Sequence, residues 1–291
     1  MKLNLLLILQ LICFGSIAQS QLQKFEPGKI SDGGVFGLTV SPDSKTSLWV
    51  KSNGRRDTLL IMEATLNKGS WSNPVVASFS DDAAKWKDID PMFSPDGKMV
   101  LFQSTRPVPG RPERKGFDIW AVRREKNSWS EPFHLGNKIN GDGSESYASM
   151  TAKGDIYFMK DNESKPGNSD IFVSRFIDGQ YQVPQNIGLP VNTSFRESNP
   201  FISPEEDFLI YFSDDSTGIG EVDLYISFRS GSSWTKPKTI GAPVNSKFAE
   251  FCPFYHRHQK RLYFSRQEKA TGRMYEDIYF MDVDIESFRD K

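Results

Sequence analysis

Four carboxylates recur at one slot of this sequence, Asp88, Glu145, Glu197 and Glu250, each three positions before Pro91, Ala148, Pro200 or Pro253. A second slot carries Lys51, Arg106, Lys160, Asp214 and Arg266, so bases alternate with acids. Acids and bases gathered at one place support three chemistries: holding a hard cation such as calcium, hydrogen bonding to a sugar or peptide, or hydrolysing a glycan with paired carboxylates. For hydrolysis the first pair is Glu197 and Glu250, with Arg196 and Arg266 as clamps on the substrate. A glycosidase needs unequal surroundings for its two acids, and these occupy equivalent slots. An acid copied into successive units also serves structure, by accepting hydrogen bonds from neighbouring loop amides.

Other candidates carry less chemistry. Asp118, Asp170, Asp223 and Asp277 each precede an apolar run and read as caps at strand starts. His256 and His258 with Cys252 nearby suggest a metal, but alternate residues of a strand face opposite ways and no third ligand has suitable spacing; a basic surface turn is expected instead. His134 falls in an outer strand and is expected to face solvent. The segment from Pro107 to Lys115 is the longest insertion and a place for recognition. There is no nucleophile elbow, phosphate loop or Ser-His-Asp set.

The slots belong to a repeat of about 53 residues, the size of a four-stranded propeller blade. An aromatic followed three residues later by Pro recurs as Trp71/Pro74, Trp129/Pro132, Tyr181/Pro184 and Trp234/Pro237. Three of these continue to Gly136, Gly188 and Gly241, then to Ile139-Asn140, Val191-Asn192 and Val244-Asn245, and reach the recurring Glu at one fixed interval. Turns at Ser41-Pro42-Asp43-Ser44, Ser94-Pro95-Asp96-Gly97 and Ser203-Pro204-Glu205-Glu206 reverse the chain, because Pro presets φ and Asp or Gly accept turn geometry. Thr151-Ala152-Lys153-Gly154 is a variant of the same turn. Each turn leads into a β-rich run such as Val100-Leu101-Phe102 or Ile210-Tyr211-Phe212.

The fifth unit ends after its third strand, Ile278 to Val283, and the aromatic and Pro of Phe25-Glu26-Pro27 supply the missing outer strand from the other end of the chain. Pairing these segments would close the ring and remove two open sheet edges. Before them, Lys2, the apolar stretch Leu3 to Ile12 and the small residues Ser16 and Ala18 read as a cleaved export signal over residues 1–18. Ile12 before Cys13 argues against a lipid anchor, which leaves Cys252 as the one cysteine after cleavage and no disulfide. A net charge of −1 with both signs interspersed gives no nucleic-acid footprint, and no later run is apolar enough to span a membrane.

The runs Asp88-Ile89-Asp90-Pro91-Met92-Phe93-Ser94-Pro95-Asp96-Gly97, Gly116-Phe117-Asp118-Ile119-Trp120 and Trp129-Ser130-Glu131-Pro132 resemble the WD-like repeat of TolB-type periplasmic propellers, especially the variant in exported proteins of Bacteroidetes-like bacteria. The expected fold is all-β, a single β-propeller over residues 19–291 with five four-stranded blades, at about 33–86, 87–144, 145–196, 197–249 and 250–291 plus strand 23–30. The expected function is non-catalytic binding of a protein, peptide or glycan at the channel mouth by a periplasmic or secreted monomer. Asp88, Glu145, Glu197, Glu250, Arg106, Arg196 and Arg266 are the binding candidates, with no cofactor beyond a structural calcium. The alternative is a glycoside hydrolase or polysaccharide lyase using the same carboxylates.

Overall fold

The computed structural model describes residues 21–290 apart from 81–82, 84, 109, 112, 115, 127, 162–167 and 271–272. The export signal expected over residues 1–18 lies outside the described residues. Five antiparallel sheets form a ring, each running outward from an inner strand: Val35–Val40, Asp88–Phe93, Glu145–Met150, Glu197–Ile202 and Ala249–His256. The outer strands are two-residue pieces, Val75–Val76, Phe133–His134, Gln185–Asn186 and Lys238–Thr239 in the first four blades. Each inner strand packs on the inner strands of both neighbouring blades, so the ring is a five-bladed propeller.

The fifth blade is completed by the N-terminal segment: Gln23–Lys24 pairs antiparallel with Arg273–Asp282, Gln23 facing Phe280 and Lys24 facing Tyr279. Phe25 continues the ladder through its N–H to Ile278 O at 2.8 Å, and its ring packs edge-on against Trp71, Tyr263 and Phe280. The strand is shorter than the expected 23–30. Pro27 has no N–H for a ladder and Gly28 takes a left-handed φ of 76°, so the chain turns at Glu26, whose carbonyl accepts from the amides of Lys29, Ile30 and Ser31.

Sheets in a ring are covered on both faces, which explains why the second strand of a blade is a continuous apolar run instead of an alternating one. Val100, Leu101 and Phe102 are all fully buried, with Val100 and Phe102 in the core against the first blade and Leu101 in the core against the third. The Ser-Pro turns hold these strands together. Ser94 Oγ donates to Asp96 at 2.7 Å while accepting from Met99 N–H at 3.0 Å, and Ser41 and Ser203 repeat the device with Asp43 and Asp207.

The Asn of the Ile-Asn or Val-Asn pair has a role the repeat alone did not disclose. Asn140 Oδ1 accepts from Ile119 N–H at 2.7 Å and its Nδ2 donates to Ile119 O at 3.1 Å, so one side-chain amide satisfies both backbone groups of a third-strand residue where the short outer strand has ended. Asn192 does the same to Ile171 and Asn245 to Leu224, at 2.8 to 3.0 Å.

Candidate functional site

The recurring acids sit immediately after these latches and close the loops that enter the inner strands. Glu145 accepts from Gly141 N–H at 3.0 Å, Glu197 from the N–H and hydroxyl of Thr193 at 2.9 and 2.5 Å, and Glu250 from the N–H and hydroxyl of Ser246 at 2.9 and 2.6 Å. Asp88 accepts from Ser80 Oγ and from Arg106 at 2.9 and 3.0 Å, and Arg266 donates to Glu250 at 2.7 Å and to the carbonyls of Pro243 and Val244. All four carboxylates are at most 1% exposed. Glu197 and Glu250, the pair assigned to hydrolysis by sequence, therefore have no face open to a substrate. Burial pushes Glu145 and Glu197 up to about 7, overcoming the donors that favour the anion.

The lesser candidates are likewise tied into the blades. Asp118 accepts from Arg114 at 2.5 Å and bonds His134 at 2.9 Å, so His134 lies mostly buried against the third strand and not toward solvent as expected; Asp118 and Asn140 supply partners that an outer-strand assignment could not show. Asp170 accepts from Asn186, Asp223 from the amides of Ile219 and Gly220, and Asp277 from Gly33 N–H and Lys24. His256 is buried against Ser41 O and Ser44 Oγ, ahead of a 3-10 turn at Arg257–Gln259. No cluster of three or more His, Cys, Asp or Glu able to hold a metal occurs among the described residues. In the insertion, Arg111 pairs with Asp142 at 2.6 Å and Arg114 with Asp118, while residues 109, 112 and 115 lie outside the described residues.

Two positions beyond each acid the inner strand bulges. The pairing register shifts in every blade, and the residue there is left-handed in all five: Gly37 (φ 65°), Asp90 (50°), Tyr147 (48°), Asn199 (52°) and Cys252 (50°). A bulge re-aims the side chain it carries, and here the groups meet across the ring. Cys252 Sγ lies 3.6 Å from Asp90 Oδ1 and 3.5 Å from Asn199 Oδ1, which also accepts from Cys252 N–H at 3.1 Å. Gly37 is needed: a Cβ there would stand 3.1 Å from Asp90 Oδ1 in a backbone that L side chains disfavour. Burial drives the Asp90 carboxyl up to about 7 against the pull of Arg56, and drives the Cys252 thiol well above its ordinary value.

Asp90, Asn199 and Cys252 of this layer floor a concavity of about 630 Å³ on the upper face, the end at which the inner strands begin. Phe36, Phe212 and Phe251 wall it. The Arg56 guanidinium lies 4.7 Å over the Phe36 ring and 5.8 Å from that of Phe251 while pairing with buried Glu276; Arg196 lies 5.1 Å over Phe212 with Asp214 at 3.5 Å. Of the residues singled out by sequence for binding, Arg196 alone lines this mouth. Reasoning from recurrence passed over Asp90, Asn199 and Cys252, although a signal was present: theirs is the slot whose side-chain chemistry changes class in every blade.

No protein-family model matches the chain, and no curated protein does. Among solved structures it is similar to a thermostable family-43 glycoside hydrolase (TM-score 0.58, 10% identity, 88% of this chain and 92% of that one). The catalytic domain of the Coprinopsis cinerea GH62 α-L-arabinofuranosidase is also similar (TM-score 0.51, 10% identity, 90% and 95%). Against a Mycobacterium tuberculosis puromycin-hydrolysing peptidase, at 12% identity and a TM-score of 0.47, it spans 35% of that protein's length. At such identities the likeness shows an architecture: the chain is a single five-bladed β-propeller.

Proposed function

We propose that this protein is an exported, non-catalytic binding module whose upper-face mouth takes a saccharide. One observation carries the reading: the repeat is broken in the bulge layer, where three blades deliver three different residues, Asp90, Asn199 and Cys252, to the floor of one concavity. A volume of about 630 Å³ is within the ordinary range for a small-ligand site. Its lining suits a sugar, whose hydroxyls meet guanidinium, carboxylate and amide groups while the aromatic rings hold the two guanidinium groups in place. Glycoside hydrolases of similar architecture act on saccharides, and we extend that ligand class to this chain.

A glycan array followed by calorimetry tests this. Arg196→Ala and Phe212→Ala are expected to weaken the best ligand by about tenfold or more, since each removes a wall group; unchanged affinity in both places the ligand elsewhere.

A second reading has one observation in its favour. A carboxyl pushed up to about 7 is about half protonated at neutral pH and so can give up a proton as a general acid must, and Asp90 is such a group at the floor of the mouth, with Asp214 and Glu221 among the lining residues as partner carboxylates. Release of reducing sugar from the bound glycan, lost in Asp90→Asn, would establish an enzyme; binding without turnover in either form supports the module.

A further inference from the structure

The lower mouth of the ring, where the inner strands end, is a second and larger concavity of about 800 Å³ with a different chemistry. Its floor is apolar: Met92, Met150, Phe201 and Phe254 from four inner strands, with Pro42, Pro95 and Pro204 from the Ser-Pro turns around it. Phe176, 40% exposed, stands at its edge, and the next residue, Ile177, is 52% exposed. Aromatic and aliphatic side chains left exposed beside an apolar hollow mark an interaction surface, and methionines let such a surface adapt to what it holds.

The rim selects the charge of the occupant. Lys98, Arg123, Lys153 and Arg257 border the hollow against two acids, Asp96 and Glu205. Both acids are already engaged, Asp96 with Lys98 at 3.4 Å and Glu205 with Arg257 at 2.9 Å. Arg123 lies 4.1 Å over the Phe133 ring, and neither it nor exposed Lys153 has a carboxylate partner among the described residues. We infer that the lower mouth docks an acidic polypeptide segment, seating one or two apolar side chains over Met92, Met150 and Phe254 while its carboxylates meet Lys153 and Arg123. A saccharide finds few polar partners in this floor, and a membrane surface does not enter a hollow between five turns. The site is on the opposite face from the proposed sugar mouth and stands independently of it.

The probe is a fluorescein-labelled octapeptide of six aspartates and two phenylalanines, with a control in which lysines replace the aspartates. Fluorescence anisotropy with the whole protein is expected to show the acidic peptide binding about tenfold or more tighter than the control, and more weakly as salt rises. Lys153→Glu and Phe176→Ser should each weaken it about fivefold or more with the thermal midpoint held, while Arg196→Ala on the other face leaves it unchanged. Equal or absent binding of the two peptides would overturn the inference, as would unchanged affinity in Lys153→Glu and Phe176→Ser. A concentration-dependent dimer in sedimentation, abolished by Phe176→Ser, would also overturn it, by giving the hollow to a second copy.

Discussion

Asp90, Glu145 and Glu197 are buried acids that hold protons near neutral pH, and the three do different work. The two glutamates clasp a loop amide apiece; Asp90 faces the channel axis. Each binds its proton more tightly folded than unfolded, so between the unfolded value near pH 4 and about pH 7 the folded chain holds more protons and stability falls as pH rises. Urea midpoints measured from pH 5 to pH 8 should therefore decline, by at most about 1.4 kcal/mol per pH unit for each group. Glu197→Gln is expected to flatten the decline whatever its own cost; a slope unchanged by this substitution would show Glu197 ionised throughout. The recurring acids were legible in the sequence as a slot, but their enclosure was not. Whether a carboxylate meets water depends on the preceding loop folding over it, and periodicity carries no information on that.

At the scale of the blade, the Asn latch replaces a strand that is too short. Outer strands of two residues leave third-strand backbone groups to be satisfied by other means, and Asn140, Asn192 and Asn245 supply a donor and an acceptor from one planar amide. Ser80 Oγ serves Ile61 N–H in the first blade and Ser31 Oγ reaches Ile278 O in the fifth, so the slot has hydroxyl versions where the Asn is missing. Asn192→Ala should cost about 1 to 3 kcal/mol in chemical unfolding, because it strands the buried N–H of Ile171 and leaves Ile171 O with the Ile187 N–H alone. Asn192→Asp keeps the acceptor but loses the donor, and is expected to cost less than alanine at low pH, where the acid can donate. A loss below about 0.5 kcal/mol for alanine would mean that water enters and replaces the amide.

Closure of the ring decides the properties of the whole molecule. Gln23, Lys24 and Phe25 pair along the third strand of the last blade, Ser31 and Gly33 add hydrogen bonds to Ile278 and Asp277, and the Phe25 ring packs among Trp71, Tyr263 and Phe280. Phe25→Ala is expected to destabilise by about 3 to 5 kcal/mol and, by loosening the closing strand, to expose the edge of Arg273–Asp282. Light scattering at elevated temperature should then rise earlier than in the parent; a variant that loses stability without added aggregation would show that the edge stays covered. Removing Lys24 from Asp277 alone, as Lys24→Ala, tests the same seam more gently, since that ion pair is partly exposed.

The blade count, the four-stranded unit, the turn chemistry and the partner of the last sheet all followed from the amino-acid sequence, because each is a local pattern copied along the chain and copies must fold alike. The export signal remains a reading of residues 1–18 alone. Where the chemistry lies was decided by tertiary structure. A one-residue bulge turns Asp90, Asn199 and Cys252 toward one axis, and contacts such as Asp90 with Cys252, 162 residues apart, exist only once five blades have closed. A repeat specifies what its units share; a site assembled from their differences at the centre of the ring requires the positions of all of them at once.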